Sequence, residues 1–183
     1  MRVITGSARG RKLISPEGMD VRPTSDMVKE AVFSIINFEI EGSTVLDLFA
    51  GTGQMGIEAL SRGAEKAVFI DSSRAAQNII AENLKITDLA PKAIVNFMDF
   101  KTFLSGNDQI FDIAFLDPPY EKNMVNDALP LLVTKMRESG AIICETYKQE
   151  VLPKDVGDFS IFREYKYGKI KLTVYRRTSE EQN

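Results

Sequence analysis

The run Val45-Leu46-Asp47-Leu48-Phe49-Ala50-Gly51-Thr52-Gly53-Gln54-Met55-Gly56 restricts the chain to few architectures. Its apolar first half reads as a buried strand, which runs into two closely spaced glycines and then into a segment with helical spacing. A strand, a glycine turn and a helix open a parallel α/β sheet, and such sheets bind ligands outside the carboxyl ends of their strands. The alternation continues downstream. Strands read at 44–49, 67–71, 93–98, 111–116 and 140–145, and helices at 54–62, 73–87 and 123–137. Ala75, Ala76, Ile79, Ile80 and Leu84 form the expected buried stripe of the second helix, and Pro130 should kink or break the third. Strands near 159–166 and 169–176 flank Tyr167-Gly168 as an antiparallel hairpin. The expected fold is therefore α/β: a doubly wound, Rossmann-like sheet of seven strands with an antiparallel edge hairpin.

A short basic extension precedes this sheet. Residues 1–23 are rich in Gly, Arg and Pro, and the alternating pieces Arg2-Val3-Ile4-Thr5 and Arg11-Lys12-Leu13-Ile14 suggest a hairpin or extended arm. Arg22-Pro23-Thr24-Ser25 leads into a helix, with Thr24 or Ser25 as N-cap and an apolar face of Val28, Ala31, Val32, Ile35 and Ile36. Residues 1–25 thus read as a basic arm, 26–178 as the main domain and 179–183 as a frayed tail. Net charge is −3 overall; residues 1–12 carry Arg2, Arg9, Arg11 and Lys12 without an acid, a charge of +4, which leaves −7 on the remainder. A basic arm on an acidic body points to a localised polyanion contact.

Composition removes several chemistries. There is no histidine, which excludes imidazole bases and His-ligated zinc, and the single Cys144 sits in an apolar run as a small core residue. No stretch approaches a membrane span and no apolar leader opens the sequence, so the expected location is cytoplasmic, with no membrane partner and no metal.

Two clusters carry the chemistry. Phe111-Asp112-Ile113-Ala114-Phe115-Leu116 is a strand with five apolar residues in six, and it stops at Asp117-Pro118-Pro119-Tyr120. The two prolines stiffen the exit. Asp117 and the Pro118 carbonyl can accept the two N–H bonds of an exocyclic base amine, whose lone pair is otherwise delocalised, while Tyr120 stacks on the flat group. The glycine loop supplies the second cluster. Gly51, Gly53 and Gly56 match G-x-G-x-x-G, and Asp71 follows Gly51 by 20 residues, as a dinucleotide site would have it. An acid inside the strand, Asp47, disfavours a pyrophosphate at the helix N-terminus and favours the cationic amino group of S-adenosylmethionine. Gly51, Thr52 and Gly53 then approach that cofactor, and Asp71 with Ser72 takes its ribose. Asp99 takes its adenine amine, and Met98 or Phe100 covers the ring. Each of these residues also has a plain structural reading, as tight turn, cap or surface acid.

On these residues the chain resembles the bacterial 16S ribosomal RNA guanine-N2 methyltransferases of the RsmD type. The resemblance rests on Arg2-Val3-Ile4-Thr5-Gly6 with Arg9-Gly10-Arg11-Lys12-Leu13, Arg22-Pro23-Thr24 with Glu30, and Asp47 to Gly53. Gly56 to Ala64 and Asp117 to Tyr120 complete it. It implies a seven-stranded class I methyltransferase sheet and S-adenosylmethionine as cofactor. The implied substrate is a guanine of 16S RNA, of the guanine-966 type, in the small ribosomal subunit or its assembly intermediate. It also implies that Asp117, Pro118, Pro119 and Tyr120 hold the base, and that Arg2, Arg9, Arg11, Lys12, Arg22 and Thr24 contact RNA. The competing readings are an N-methyltransferase acting on DNA adenine or a protein glutamine, an NAD-binding oxidoreductase, and a catalytically silent RNA-binding module.

Overall fold

The computed structural model describes residues 1–15, 26–119 and 123–178. In chain order they form α1 (Asp26–Ile35), β1 (Thr44–Asp47), α2 (Gln54–Ser61), β2 (Lys66–Asp71), α3 (Arg74–Thr87), β3 (Ala93–Phe97), α4 (Phe100–Gly106) and β4 (Phe111–Leu116). After these come α5 (Met124–Leu132), β5 (Met136–Tyr147), β6 (Asp155–Val156), β7 (Phe159–Tyr167) and β8 (Ile170–Arg177). One sheet runs β3-β2-β1-β4-β5-β8-β7-β6. The first five of these strands are parallel, and β8, β7 and β6 continue the sheet antiparallel.

The doubly wound architecture and the edge hairpin agree with the expectation, but the sheet has eight strands rather than seven. The eighth is the two-residue β6, whose Asp155 and Val156 pair with Ser160 and Phe159. A ladder that short has no periodicity to read. α4 was likewise not expected; its signal was Asp99, whose carboxylate accepts from Thr102 N at 3.0 Å as the N-cap. Pro130 does lie inside a helix, and α5 ends two residues beyond it at Leu132. Lacking an N–H, the proline cannot bond the preceding turn. The chain then passes through a 3-10 turn (Val133–Lys135) into β5, which begins four residues before the expected start.

Apolar residues divide between the two sheet faces. One core gathers Val32, Phe33 and Ile36 of the α1 region with Ile57 and Leu60 of α2, Ile80 and Leu84 of α3, and Val45, Phe69 and Phe115 of the sheet. The other packs α4 and α5 against Leu46, Ile70, Ala114, Ile142 and Tyr175. Burial pushes the Cys144 thiol up and keeps it an unreactive core residue, as expected. In α3, Ala76, Ile80 and Leu84 are buried, whereas Ala75 is exposed; the stripe turns instead through Asn83 and Thr87.

The first fifteen residues do not stand away from this body. Arg2 and Lys12 pair antiparallel, Val3 N donates to Arg11 O at 3.0 Å, and Val3, Ala8 and Leu13 enter the first core. The hairpin is clamped to α2. Glu58, wholly buried, accepts Ile4 N at 2.8 Å and Thr5 N at 3.0 Å, while Ser61 Oγ accepts Ala8 N at 3.0 Å. Gly6, at φ +87, lies so close to α2 that a Cβ there would sit 1.8 Å from the Ser61 carbonyl oxygen. Two cations answer the Glu58 charge, Arg62 Nε at 2.9 Å and the fully buried Lys29 Nζ at 3.4 Å. Burial lowers the pKa of Lys29 and Glu58 opposes it.

Candidate active site

Strand register brings the candidate carboxylates to one edge. Asp47 ends β1 opposite Phe69 of β2 and Phe115 of β4, Asp71 ends β2 opposite Phe97 of β3, and Leu116 pairs with Cys144 of β5. Asp117 and Glu145 each follow one residue on. Because side chains alternate along strands, Asp47, Asp117 and Glu145 share the face that carries Val45, Phe115 and Ile143 of the first core. Asp99 completes the row two residues past β3.

The glycine loop closes over this edge. Gly51 has φ +54 with open space where a Cβ would be, and Gly53, the N-cap of α2, has φ +77. Gly56 serves packing instead: a Cβ there would lie 2.3 Å from the Phe69 ring. Asp71 fastens the loop to β2, since Oδ2 accepts Gly51 N and Oδ1 accepts Ser73 N, both at 2.8 Å. Asp47 Oδ2 accepts Gly56 N at 2.9 Å and so satisfies one of the open donors of the first turn of α2. Asp47 is almost fully buried, and desolvation pushes its pKa from 3.8 up to about 7, against the Gly56 hydrogen bond. Among the described residues no cation pairs with Asp47, Asp71 or Asp99. A buried acid with its charge unanswered, beside two left-handed glycines, suits a ligand that brings a cation.

Several expected residues take other immediate partners. The Thr102 hydroxyl and amide hold the exposed Asp99 carboxyl below the usual range as it caps α4. Phe100 is buried in the second core against Phe49, with ring centroids 5.2 Å apart, while Phe97 is exposed under the Arg74 guanidinium at 4.3 Å. Ser72 is exposed at the β2–α3 turn; Pro118 is buried and Pro119 exposed. Of the basic residues, Arg2 pairs with Asp26 at 3.3 Å and Arg11 with Asp88 at 2.8 Å, while Arg9 and Lys12 are exposed. Tyr120, Arg22, Thr24 and Ser25 lie outside the described residues.

Two buried polar residues at the site were not anticipated from the sequence. Asn83 of α3 is wholly buried; its Nδ2 donates to the Thr52 carbonyl at 2.9 Å and to the Ile14 carbonyl at 3.1 Å, while Oδ1 accepts Ile14 N at 2.7 Å. It thereby joins the glycine loop to the end of the amino-terminal hairpin. Glu145 is buried two residues before the end of β5, beside the β4 exit. The sign of Asn83 was a polar residue within an apolar helical stripe; Glu145 was a single acid ending an apolar run. At the opposite edge a cleft of about 450 Å³ is lined by Glu39, Glu41, Asp112 and Arg176 among others, but its main charges are paired internally.

Residues 1–176 match the family model described as conserved hypothetical protein 95. YlbH of Bacillus subtilis (strain 168) is 38% identical over 182 residues, covering 97% of this chain and 99% of that protein. Ribosomal RNA small subunit methyltransferase D of Escherichia coli (strain K12) is 31% identical over 182 residues, covering 98% of this chain and 91% of that protein. The solved structure of yhhF from Escherichia coli superposes with a TM-score of 0.87 at 32% identity, covering 97% of both chains. No helix among the described residues is long and apolar enough to cross a membrane.

Proposed function

Because the chain belongs to the conserved hypothetical protein 95 family, we propose that it methylates the exocyclic N2 amine of a guanine in 16S ribosomal RNA, using S-adenosylmethionine. The observation that carries this reading is the row of acids at consecutive strand ends, Asp71, Asp47 and Asp117, beside a glycine loop that leaves room for a ligand. A relative named as a small-subunit ribosomal RNA methyltransferase supports the substrate class. Residence in the cytoplasm belongs to the same reading, as does a substrate in the small subunit or an assembly intermediate of it.

S-adenosylmethionine supplies an electrophilic methyl group on a sulfonium. Asp47 would face its ammonium, Gly51, Thr52 and Gly53 its amino-acid end, and Asp71 with Ser72 the ribose. Asp99 would face the adenine. Asp71 and Asp99 already accept bonds from Gly51, Ser73 and Thr102, yet each carboxylate oxygen retains a lone pair for a hydroxyl or an amine. The guanine leaves its stack. Asp117 and the Pro118 carbonyl accept hydrogen bonds from its two amine N–H groups, Pro119 keeps the loop rigid, and Tyr120 stacks on the base. Orientation is the main contribution, since a well-placed pair recovers about 7–11 kcal/mol of barrier. After transfer the amine carries a surplus proton; with no histidine in the chain, Asp117 or a water molecule takes it.

The test is transfer of labelled methyl from S-adenosylmethionine to small ribosomal subunits lacking base methylation, with protein-free 16S RNA, DNA and protein alongside. Label recovered as N2-methylguanine, with guanine 966 examined first, is the expected result. Label in DNA adenine or in a glutamine amide, or no transfer despite cofactor binding, overturns it.

A further inference from the structure

We propose that the tip of the β7–β8 hairpin is a second RNA contact, in which Lys148, Lys166 and Lys169 grip phosphates of the strand adjoining the target base. This rests on the RNA reading above. The register places the tip at the active edge. Tyr147, the last residue of β5, pairs with Ile170, and Ile170 pairs in turn with Tyr167. Since β5 runs parallel to β4, the turn Gly168-Lys169 emerges at the sheet edge where β4 delivers Asp117. Lys148 is drawn to the same point, for its amide donates to the Lys169 carbonyl at 2.9 Å. Gly168, at φ +58, makes the reversal tight.

The tip, like the amino-terminal hairpin, is locally basic. Residues 165–171 contain three lysines and no acid, in a chain of net charge −3. Lys171 is engaged, with Glu164 at 2.9 Å and the Glu150 carbonyl at 2.8 Å. Lys148, Lys166 and Lys169 are exposed and have no ion-pair partner among the described residues. In the amino-terminal hairpin Arg2 and Arg11 are committed to Asp26 and Asp88, while Arg9 and Lys12 stay exposed. Tyr165 and Tyr167 brace the tip from beneath by packing on the first core. Three exposed ammonium groups without an ion pair among the described residues, on and beside a braced turn that lies across β5 from the Asp117 exit, fit a polyanionic strand that enters alongside its extruded base.

The experiment measures equilibrium binding of protein-free 16S RNA to the full chain between 0.1 and 1 M salt, together with methyl transfer at each point. A triple variant, Lys148→Gln with Lys166→Gln and Lys169→Gln, should flatten the slope of log affinity against log salt by about 2, from roughly 0.7 per phosphate contact on a single strand. Binding then falls about 100-fold at 0.1 M salt and converges with wild type near 1 M. Cofactor affinity and melting temperature should not change. Lys92→Gln, an exposed cation at the opposite edge, is the control and should leave the slope alone. If the triple variant fails to fold, Lys166→Gln and Lys169→Gln singly carry the test, each expected to shorten the slope by about 0.7. An unchanged slope, or an equal loss in the Lys92 variant, overturns the proposal. Failure of the wild-type chain to methylate small ribosomal subunits lacking base methylation overturns instead the function on which it rests.

Discussion

The two ends of the parallel strands carry the same residue types in opposite electrical states. At the amino-terminal edge Asp112 accepts Thr44 N at 2.8 Å and meets Arg137 at 2.8 Å, and Arg176 forks onto Glu39 at 2.5 and 2.7 Å. At the carboxyl edge Asp47, Asp71 and Asp99 accept backbone amides but meet no cation among the described residues. One edge closes its charges within the fold. The other leaves the buried Asp47 to be closed by what binds, and its desolvation costs stability that a cationic ligand can repay. Burial alone does not mark the difference, since Glu58 is as buried as any acid in the chain and has both Lys29 and Arg62.

The sharpest way to break this contrast is along one strand. Asp117→Ala should lower turnover by about 10²–10³-fold or more while cofactor affinity stays within a few-fold; Asp112→Ala, five positions before it in sequence at the start of β4, should leave turnover intact and lower the urea midpoint. Equal loss of turnover in both variants would dissolve the distinction between the edges. Next in size is Glu58→Ala, which leaves the Lys29 ammonium buried without its partner and should cost about 3–5 kcal/mol in denaturant unfolding. A loss under 1 kcal/mol would mean that the amino-terminal hairpin is not held by that network.

Asp47 gives a pH signature. Its pKa is raised in the fold from 3.8 to about 7, so its contribution to stability is fully present below pH 4 and disappears as pH rises through 7. S-adenosylmethionine should reverse that loss, because its ammonium favours the ionised acid; cofactor affinity should climb with pH and level off above about 7. Asp47→Asn should flatten both profiles, as followed by thermal melting and calorimetric titration, and a wild-type affinity independent of pH would remove Asp47 from the cofactor site. The smallest effect belongs to Arg176→Gln. A half-exposed ion pair of this kind is worth about 1 kcal/mol or less, and no change in methyl transfer should accompany it.

Much of the fold was legible because period and punctuation agreed. β4 coincides with the apolar run before Asp117, and the β7–β8 turn, Gly168-Lys169, sits one residue beyond the expected Tyr167-Gly168. Where the pattern was too short, reading failed: β6 has two residues, and α4 has seven with a cap as its main sign. The extended start of β5 was obscured because the helical pattern expected over 123–137 does not announce where Pro130 will stop it. In the site, the glycines and acids were visible as types at strand ends. The present partners of Asp71, Asp99 and Phe100 were not, because they depend on turns that bring residues back onto the loop.

By itself the sequence determined the alternation of elements, the placement of Asp47, Asp71 and Asp117 at or just past strand ends, and the basic character of the amino-terminal hairpin. Those properties are local, set by side-chain period, glycine and proline. Tertiary structure alone decided which charges are spoken for. Arg2 and Arg11 are neutralised by Asp26 and Asp88, Glu58 is answered by Lys29 and Arg62, and the three lysines at the β7–β8 tip are left open. Asn83 joins Thr52 to Ile14 across 31 and 69 positions of sequence. Electrostatic and hydrogen-bond energies depend on distance and burial in space, which chain order does not encode until the sheet has been wound.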